Sequence, residues 1–210
     1  IKELFMAGGI AADSHGKTEQ YRQRAGAAEL KAKLDSQEAY LASLELNVEM
    51  TRNAGASTAR ISELSMKSNQ VNLSTRRYSE IEIAQMMNDL DHAVYSLVVG
   101  DTFGNAGLTG VIVIRYVDGA ALVDNFFMSC RVIGRGVEMS IWTRIAADAA
   151  SRGCSELRAE FIPSPKNTQV ADFYDRLGLP LLTETRGGVR RYGIATSTFT
   201  TPETSWIERT

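Results

Sequence analysis

Cys130 is the residue at which chemistry could start in this sequence. It closes an apolar run, Phe126-Phe-Met-Ser-Cys130, and is followed by Arg131-Val132-Ile-Gly134-Arg135-Gly136-Val-Glu138, after which an amphipathic stretch begins. The thiolate is the reactive form of a cysteine, and cations or helix N-termini beside a thiol favour it. Glycines let a backbone approach a bound group closely, helix N-terminal N–H groups point at anions, and arginines add charge-assisted contacts. Arg131-x-x-Gly134-x-Gly136 therefore reads as a phosphate or pyrophosphate cradle. The bland alternative stays open, because short glycine patterns recur by chance and most free cysteines are small buried apolar residues. A second candidate cluster is Asn69, Gln70, Asn72, Thr75, Arg76 and Arg77. Its amides suit hydroxyl groups and its guanidinium groups suit phosphate, although a polar loop with surface arginines has the same composition. Tyr174 could protonate a departing thiolate, but Phe173-Tyr174 also fits a helix packed on a sheet. Glu138 in a first helical turn would favour the helix dipole, Lys166 could meet an acidic surface, and Cys154 reads as structural.

The elements that must position these residues follow from periodicity. Residues 1–16 carry no clear period, and 17–34 are helix formers with a narrow, alanine-rich face that suits docking on a partner. Asp35-x-x-Glu38 has the form of a capping box. Residues 46–50 alternate as a strand, Ser57 precedes a helix bearing Ile61 and Leu64, and Ser79-x-x-Glu82 opens another with Ile83, Met86 and Met87. Three β-rich runs at 93–99, 108–117 and 121–130 predict an antiparallel meander, broken at 101–107 and at Asp118-Gly119. A helix over 137–152, a strand at 157–162, a helix over 167–177 and strands at 181–185 and 190–195 complete the order, with fraying expected after about Thr198.

A chain of 210 residues, 44% of them hydrophobic, can bury a substantial core. Its net charge of −2 gives no electrostatic case for nucleic acid or an anionic membrane, and no apolar run is long enough to span a bilayer. Two cysteines and two histidines (His15, His92) make no metal pattern, and free thiols in a reducing cytoplasm are the expectation. The chain begins with Ile, in keeping with a piece of a longer protein.

The predicted order of elements, with the glycine loop after the third meander strand, resembles the Gcn5-related N-acetyltransferase (GNAT) fold. Asn167-x-x-Val170-Ala-x-Phe-Tyr174-x-x-Leu-Gly178 resembles the helix of that fold whose tyrosine often acts as a general acid. The resemblance implies a mixed α/β (α+β) sheet flanked by helices, over residues 46–198, with a C-terminal tail at 199–210. Ser68-Asn-Gln-Val-Asn-Leu-Ser-Thr-Arg-Arg-Tyr78, Asp101-x-Phe-Gly104, Met128-Ser-Cys-Arg-Val-x-Gly-Arg-x-x-Glu138 and Ile162-Pro-x-x-Lys-Asn167 are similar to the C-terminal part of FkbH-like proteins. Those proteins join a haloacid-dehalogenase-type phosphatase domain to an acetyltransferase-like one. They load a glyceryl unit from 1,3-bisphosphoglycerate onto an acyl carrier protein for methoxymalonyl-type polyketide extender units. Residues 1–45 then resemble a helical linker or tail of the phosphatase domain. The phosphatase's Asp-x-Asp loop is absent from the sequence, so phosphatase activity is not expected of this chain.

The resemblance implies catalytic roles for Cys130 and Tyr174. It implies contacts from Arg131, Val132, Gly134, Arg135, Gly136 and Asn167 to the phosphopantetheine of a carrier protein, or to coenzyme A. Asn69, Gln70, Asn72, Thr75, Arg76 and Arg77 would hold the acyl group. A thiol suits such a transfer, since it can accept an acyl group from phosphate and yield it to another thiol, and a relay of this kind leaves Tyr174 with packing as its first role. The implied partners are an acyl carrier protein, a small acyl substrate and a phosphatase domain or subunit, with no metal, nucleic acid or membrane. Two alternatives stand beside this one: an acetyl-CoA-dependent N-acetyltransferase, and a non-catalytic module that docks a carrier protein.

Overall fold

The computed structural model describes residues 36–209 and, before them, Gly26, Glu29, Leu30, Ala32 and Leu34. Most of the helix expected over 17–34 lies outside the described residues, as do His15 and Asp35. Leu30 and Leu34 pack against the main core. Helix α1 (Gln37–Ser43) is capped by Ser36, whose hydroxyl accepts from Ala39 N–H at 3.0 Å, one residue later than the expected cap at Asp35.

Strand β1 (Leu46–Arg52) leads through a 3₁₀ turn (Gly55–Ser57) to α2 (Thr58–Lys67). Ser57 is itself in helical conformation and makes no capping bond, so the expected cap does not form; the 3₁₀ turn occupies its place. Helix α3 (Glu80–Asn88) carries the expected capping box of Ser79 and Glu82. The meander follows as β2 (His92–Asp101), β3 (Gly104–Val117) and β4 (Ala120–Met128). The hairpin between β3 and β4 turns on Asp118 and Gly119 at φ 49° and 71°, the left-handed pair a two-residue turn requires. The β2–β3 connection is tighter than expected, with Asp101 already paired to Gly104.

The helix predicted over 137–152 is two pieces, α4 (Val137–Ser140) and α5 (Trp142–Ser151). The Trp142 indole N–H donates to Glu138 O at 2.7 Å, taking the carbonyl that a continuous helix would bond through the backbone, and the helix breaks at Ile141. Strand β5 (Glu156–Phe161) is followed by a 3₁₀ turn (Thr168–Val170) and the short α6 (Phe173–Arg176), where a continuous helix was expected. Strands β6 (Leu181–Glu184) and β7 (Arg190–Ala195) then pair, and β8 (Ile207–Arg209) runs parallel to β1. Residues 207–209 are thus built into the sheet, where fraying was expected.

The eight strands lie in the order β6-β7-β5-β4-β3-β2-β1-β8, with β4 parallel to β5 and the remaining internal pairs antiparallel. Helices α2 and α3 cover one face, where Ile61, Leu64 and Ile83 meet Val94, Val111, Val113 and Phe127. On the other face α5 and α6 bury Trp142, Ile145, Phe173 and Tyr174 against Phe126, Ile112 and Leu157. Adjacent residues of β4, Phe126 and Phe127, therefore anchor opposite cores, as the pleat requires.

Candidate functional site

Cys130 and much of the polar cluster gather where β4 and β5 part. The two strands pair only from Ala120 with Glu156 to Val123 with Ala159. Past that point the gap is filled by the chain's own residues 71–74. Leu73 N–H donates to Phe126 O and Met128 N–H to Val71 O, both at 3.0 Å, around an antiparallel bridge of Asn72 with Phe127. On the far side Ile162 N–H donates to Leu73 O at 2.8 Å. The side chains of Val71 and Leu73 are buried in the main core, a contribution of roughly 3–6 kcal/mol together. Asn167, fully buried, clips the insert: its amide donates to Asn72 O (2.9 Å) and Ile162 O (3.0 Å), and its carbonyl accepts from Ser164 N–H (2.7 Å).

This insert decides the placement of the polar cluster. Asn72 is buried and donates to Arg76 O at 3.0 Å. Arg76 ion-pairs with the buried Asp124, which also accepts from Tyr78 OH at 2.8 Å. Burial, then Asp124, push the Tyr78 phenol above its usual range. Arg77 turns inward to Ser65 O, Ser68 O and Asn69 Oδ1. Both guanidinium groups expected to meet a substrate phosphate thus have internal partners, and desolvation lowers the Arg77 pKa. Asn69 and Gln70, by contrast, line an open cleft of ≈ 760 Å³ with Cys130, Arg131 and Lys166. A neighbouring cavity of ≈ 270 Å³ shares Asn69 and Lys166 and adds Asn72, Thr75 and Arg77.

Cys130 stands in a turn just past the end of β4 and is exposed. It belongs neither to the strand nor to a helix N-terminus, contrary to expectation, because residues 131–136, with two left-handed glycines, Gly134 (φ 75°) and Gly136 (φ 85°), intervene before α4 begins. Arg131 and Lys166 form no ion pair among the described residues. Arg60 and Lys67 enter the same cleft from α2, sharing Glu63. Their spacing on one helix face, with Leu64 between them, was a signal that sequence reasoning passed over.

The glycine loop is engaged from within. Gly134 N–H donates to Glu138 Oε1 at 3.3 Å, and Glu138 is buried. Arg135 pairs with Asp101 at 2.6 Å. Trp206 donates its indole N–H to Arg135 O at 3.0 Å, and a Cβ at Gly136 would stand 3.0 Å from its ring. Val132 is a core residue. Tyr174 lies outside the cleft, in an aromatic cluster with Trp142, Phe173 and Tyr192. It is 1% exposed, its hydroxyl has no partner among the described residues, and burial pushes its phenol upward. Cys154 is buried, and desolvation raises its thiol pKa.

No protein-family model matches this chain, and no curated protein matches it by sequence. Solved structures do match. The ribosomal-protein-S18-alanine N-acetyltransferase of Escherichia coli aligns with TM-score 0.54 at 13% identity, over 71% of this chain and 94% of its own. The GNAT domain of S. lividans PAT gives 0.54 at 17%, over 70% and 89%. An acetyltransferase from Thermus thermophilus gives 0.53 at 14%, over 72% and 99%. The fold is that of the GNAT acetyltransferases, a mixed sheet between helical layers. Among the described residues no helix is long and apolar enough to cross a membrane.

Proposed function

We propose that this chain is an acyltransferase that takes a glyceryl-type unit onto the thiol of Cys130 and passes it to the phosphopantetheine of an acyl carrier protein. The observation that carries this reading is the exposed Cys130 on the wall of a cleft whose charged lining residues are all cations: Arg60, Lys67, Arg131 and Lys166. In the first step the Cys130 thiolate attacks the carbonyl carbon of an acyl phosphate such as 1,3-bisphosphoglycerate. A C–S bond forms, the C–O bond to phosphate breaks, and phosphate leaves with the electron pair. In the second step the carrier's thiolate attacks the thioester, and the Cys130 thiolate departs regenerated. In this reading Asn69 and Gln70, which line the cleft, would pair with the hydroxyl of the acyl group, and the cations would receive phosphate and the acidic surface of a carrier. The phosphate remaining on the glyceryl unit would be removed by a separate phosphatase domain or subunit.

The fold also favours a second reading, acetyl transfer from acetyl-CoA to an amine. That reading asks for an acid at the sulfur, and Tyr174, with its buried hydroxyl, is not placed to serve as one. The two are separated by intact-protein mass spectrometry after incubation with a glyceryl-loaded carrier protein, which runs the transfer backwards. A glyceryl adduct on the wild type that is lost in Cys130→Ala is the expected result. No adduct on the wild type, or an adduct that survives the substitution, would sink the relay.

A further inference from the structure

A thiol borne on a nucleotide coenzyme needs two things from a protein: free N–H groups and cations for its diphosphate, and a partner for the extended diamide arm that leads to the sulfur. The arm's place is taken here, and the diphosphate's is occupied at three of its positions, with Arg131 the loop cation that forms no ion pair among the described residues. In the glycine loop the N–H of Gly134 is bound to Glu138, the guanidinium of Arg135 is bound to Asp101, and Trp206 lies over Gly136. Glu138 would also set an acidic group against an incoming diphosphate. Helix α4 has only four residues, too few to present a useful dipole. The strand edge that could pair with an extended amide chain is the part of β4 beyond Val123, and residues 71–74 already hold it. Asn167 and Asn125 lock the insert from two sides, Asn125 accepting from Ser74 N–H at 3.1 Å.

We infer that residues 71–74, Glu138, Asp101 and Trp206 are specificity-determining: they fill the positions from which free coenzyme A would draw its binding, so that this acyltransferase fold does not retain the free coenzyme, whereas a carrier protein, held by its own surface, can bring the same arm to Cys130 through the open cleft without them. The inference narrows the thiol partner of the proposed reaction but rests on the filled positions alone, whatever the acyl group. Its test is thermal unfolding of the full chain with and without coenzyme A and acetyl-CoA at about 1 mM, together with hydrogen exchange of the Leu73, Met128 and Ile162 amides. The expected result is a midpoint unchanged by either compound, with those three amides exchanging as slowly as the paired amides of β5. A ligand present at about a hundredfold its dissociation constant would raise the midpoint by roughly 5–10 °C, and a saturable rise of that kind overturns the inference. Fast exchange at the three amides overturns it as well, since the insert would then not be resident. A Cys130 adduct from a loaded carrier alongside coenzyme binding would remove this inference and spare the proposed function. No adduct and no coenzyme binding would do the reverse.

Discussion

The cleft at Cys130 and the aromatic cluster at Tyr174 both border the C-terminal end of β4, and they are built on opposite terms. In the cleft the charged side chains are long and cationic, amides and hydroxyls stand among them, and the thiol is open to solvent. In the cluster Trp142 stands edge-on to Phe126 at 5.5 Å, Phe173 and Tyr174 lie 5.3 Å apart, and the only polar atom Tyr174 brings is left without a partner among the described residues. Residue type nominated both sites for chemistry; burial separates them. A side chain that must exchange protons with a substrate cannot be sealed in a core, whereas a side chain that only fills space can be.

The largest effect should come from emptying the cluster. Tyr174→Ala removes a fully buried ring and should cost about 3–5 kcal/mol in urea unfolding. Tyr174→Phe deletes only the orphaned hydroxyl, so its stability should match or exceed that of the wild type, with transfer activity intact. A Tyr174→Phe protein that keeps its stability and loses its activity would erase the contrast between the two regions and restore Tyr174 as an acid.

The two thiols sharpen the same comparison. At pH near 8, iodoacetamide should label Cys130 about a hundredfold faster than Cys154 in the native protein, and both alike after unfolding. The sign follows from burial. A folded-state pKa raised by desolvation keeps Cys154 protonated, and the stability this contributes is complete below the unfolded thiol's pKa and lost as pH rises through the folded value. Equal labelling of both cysteines in the native state would mean that the region around Cys154 opens freely.

The insert at 71–74 shows what a sequence does and does not disclose. Val71-Asn-Leu73-Ser alternates apolar and polar like a strand, yet the amides and arginines around it read as a recognition loop. The alternation runs for only four residues, too short for periodicity to outweigh composition, and the ladder it joins is made by residues about fifty positions away. Asn72 and Asn167 look like ligand contacts because buried amides that satisfy backbone carbonyls have the same residue type as amides that satisfy substrates. Arg76 likewise finds Asp124 across the fold, which no local pattern foretells. The meander, the capping box at Ser79 and the Asp118-Gly119 turn were readable because each is decided within a few residues. Asn167→Ala tests the insert directly. It leaves the Asn72 and Ile162 carbonyls without their side-chain donor, should cost about 2–4 kcal/mol, and should speed exchange at Leu73 and Ile162 ahead of the rest of the sheet. A uniform change across the sheet would deny the insert its separate clip.

The smallest effect is expected at the rim of the cleft. Lys166 is exposed, forms no ion pair among the described residues and faces the same opening as Cys130. A cation in that position would steer an acidic partner without bonding it tightly, so if the acceptor is the carrier protein proposed above, Lys166→Ala should raise the apparent KM for it by about three- to tenfold at low salt and leave kcat unchanged. Because the attraction is screened, the difference between variant and wild type should shrink between roughly 0.05 M and 0.3 M salt. The same substitution should leave Cys130 labelling by a neutral reagent untouched, since steering acts on the partner's charge and not on the thiol. A fall in kcat that salt does not alter would instead place Lys166 at the reacting atoms, and the cleft would then be chemical throughout and not only at its cysteine.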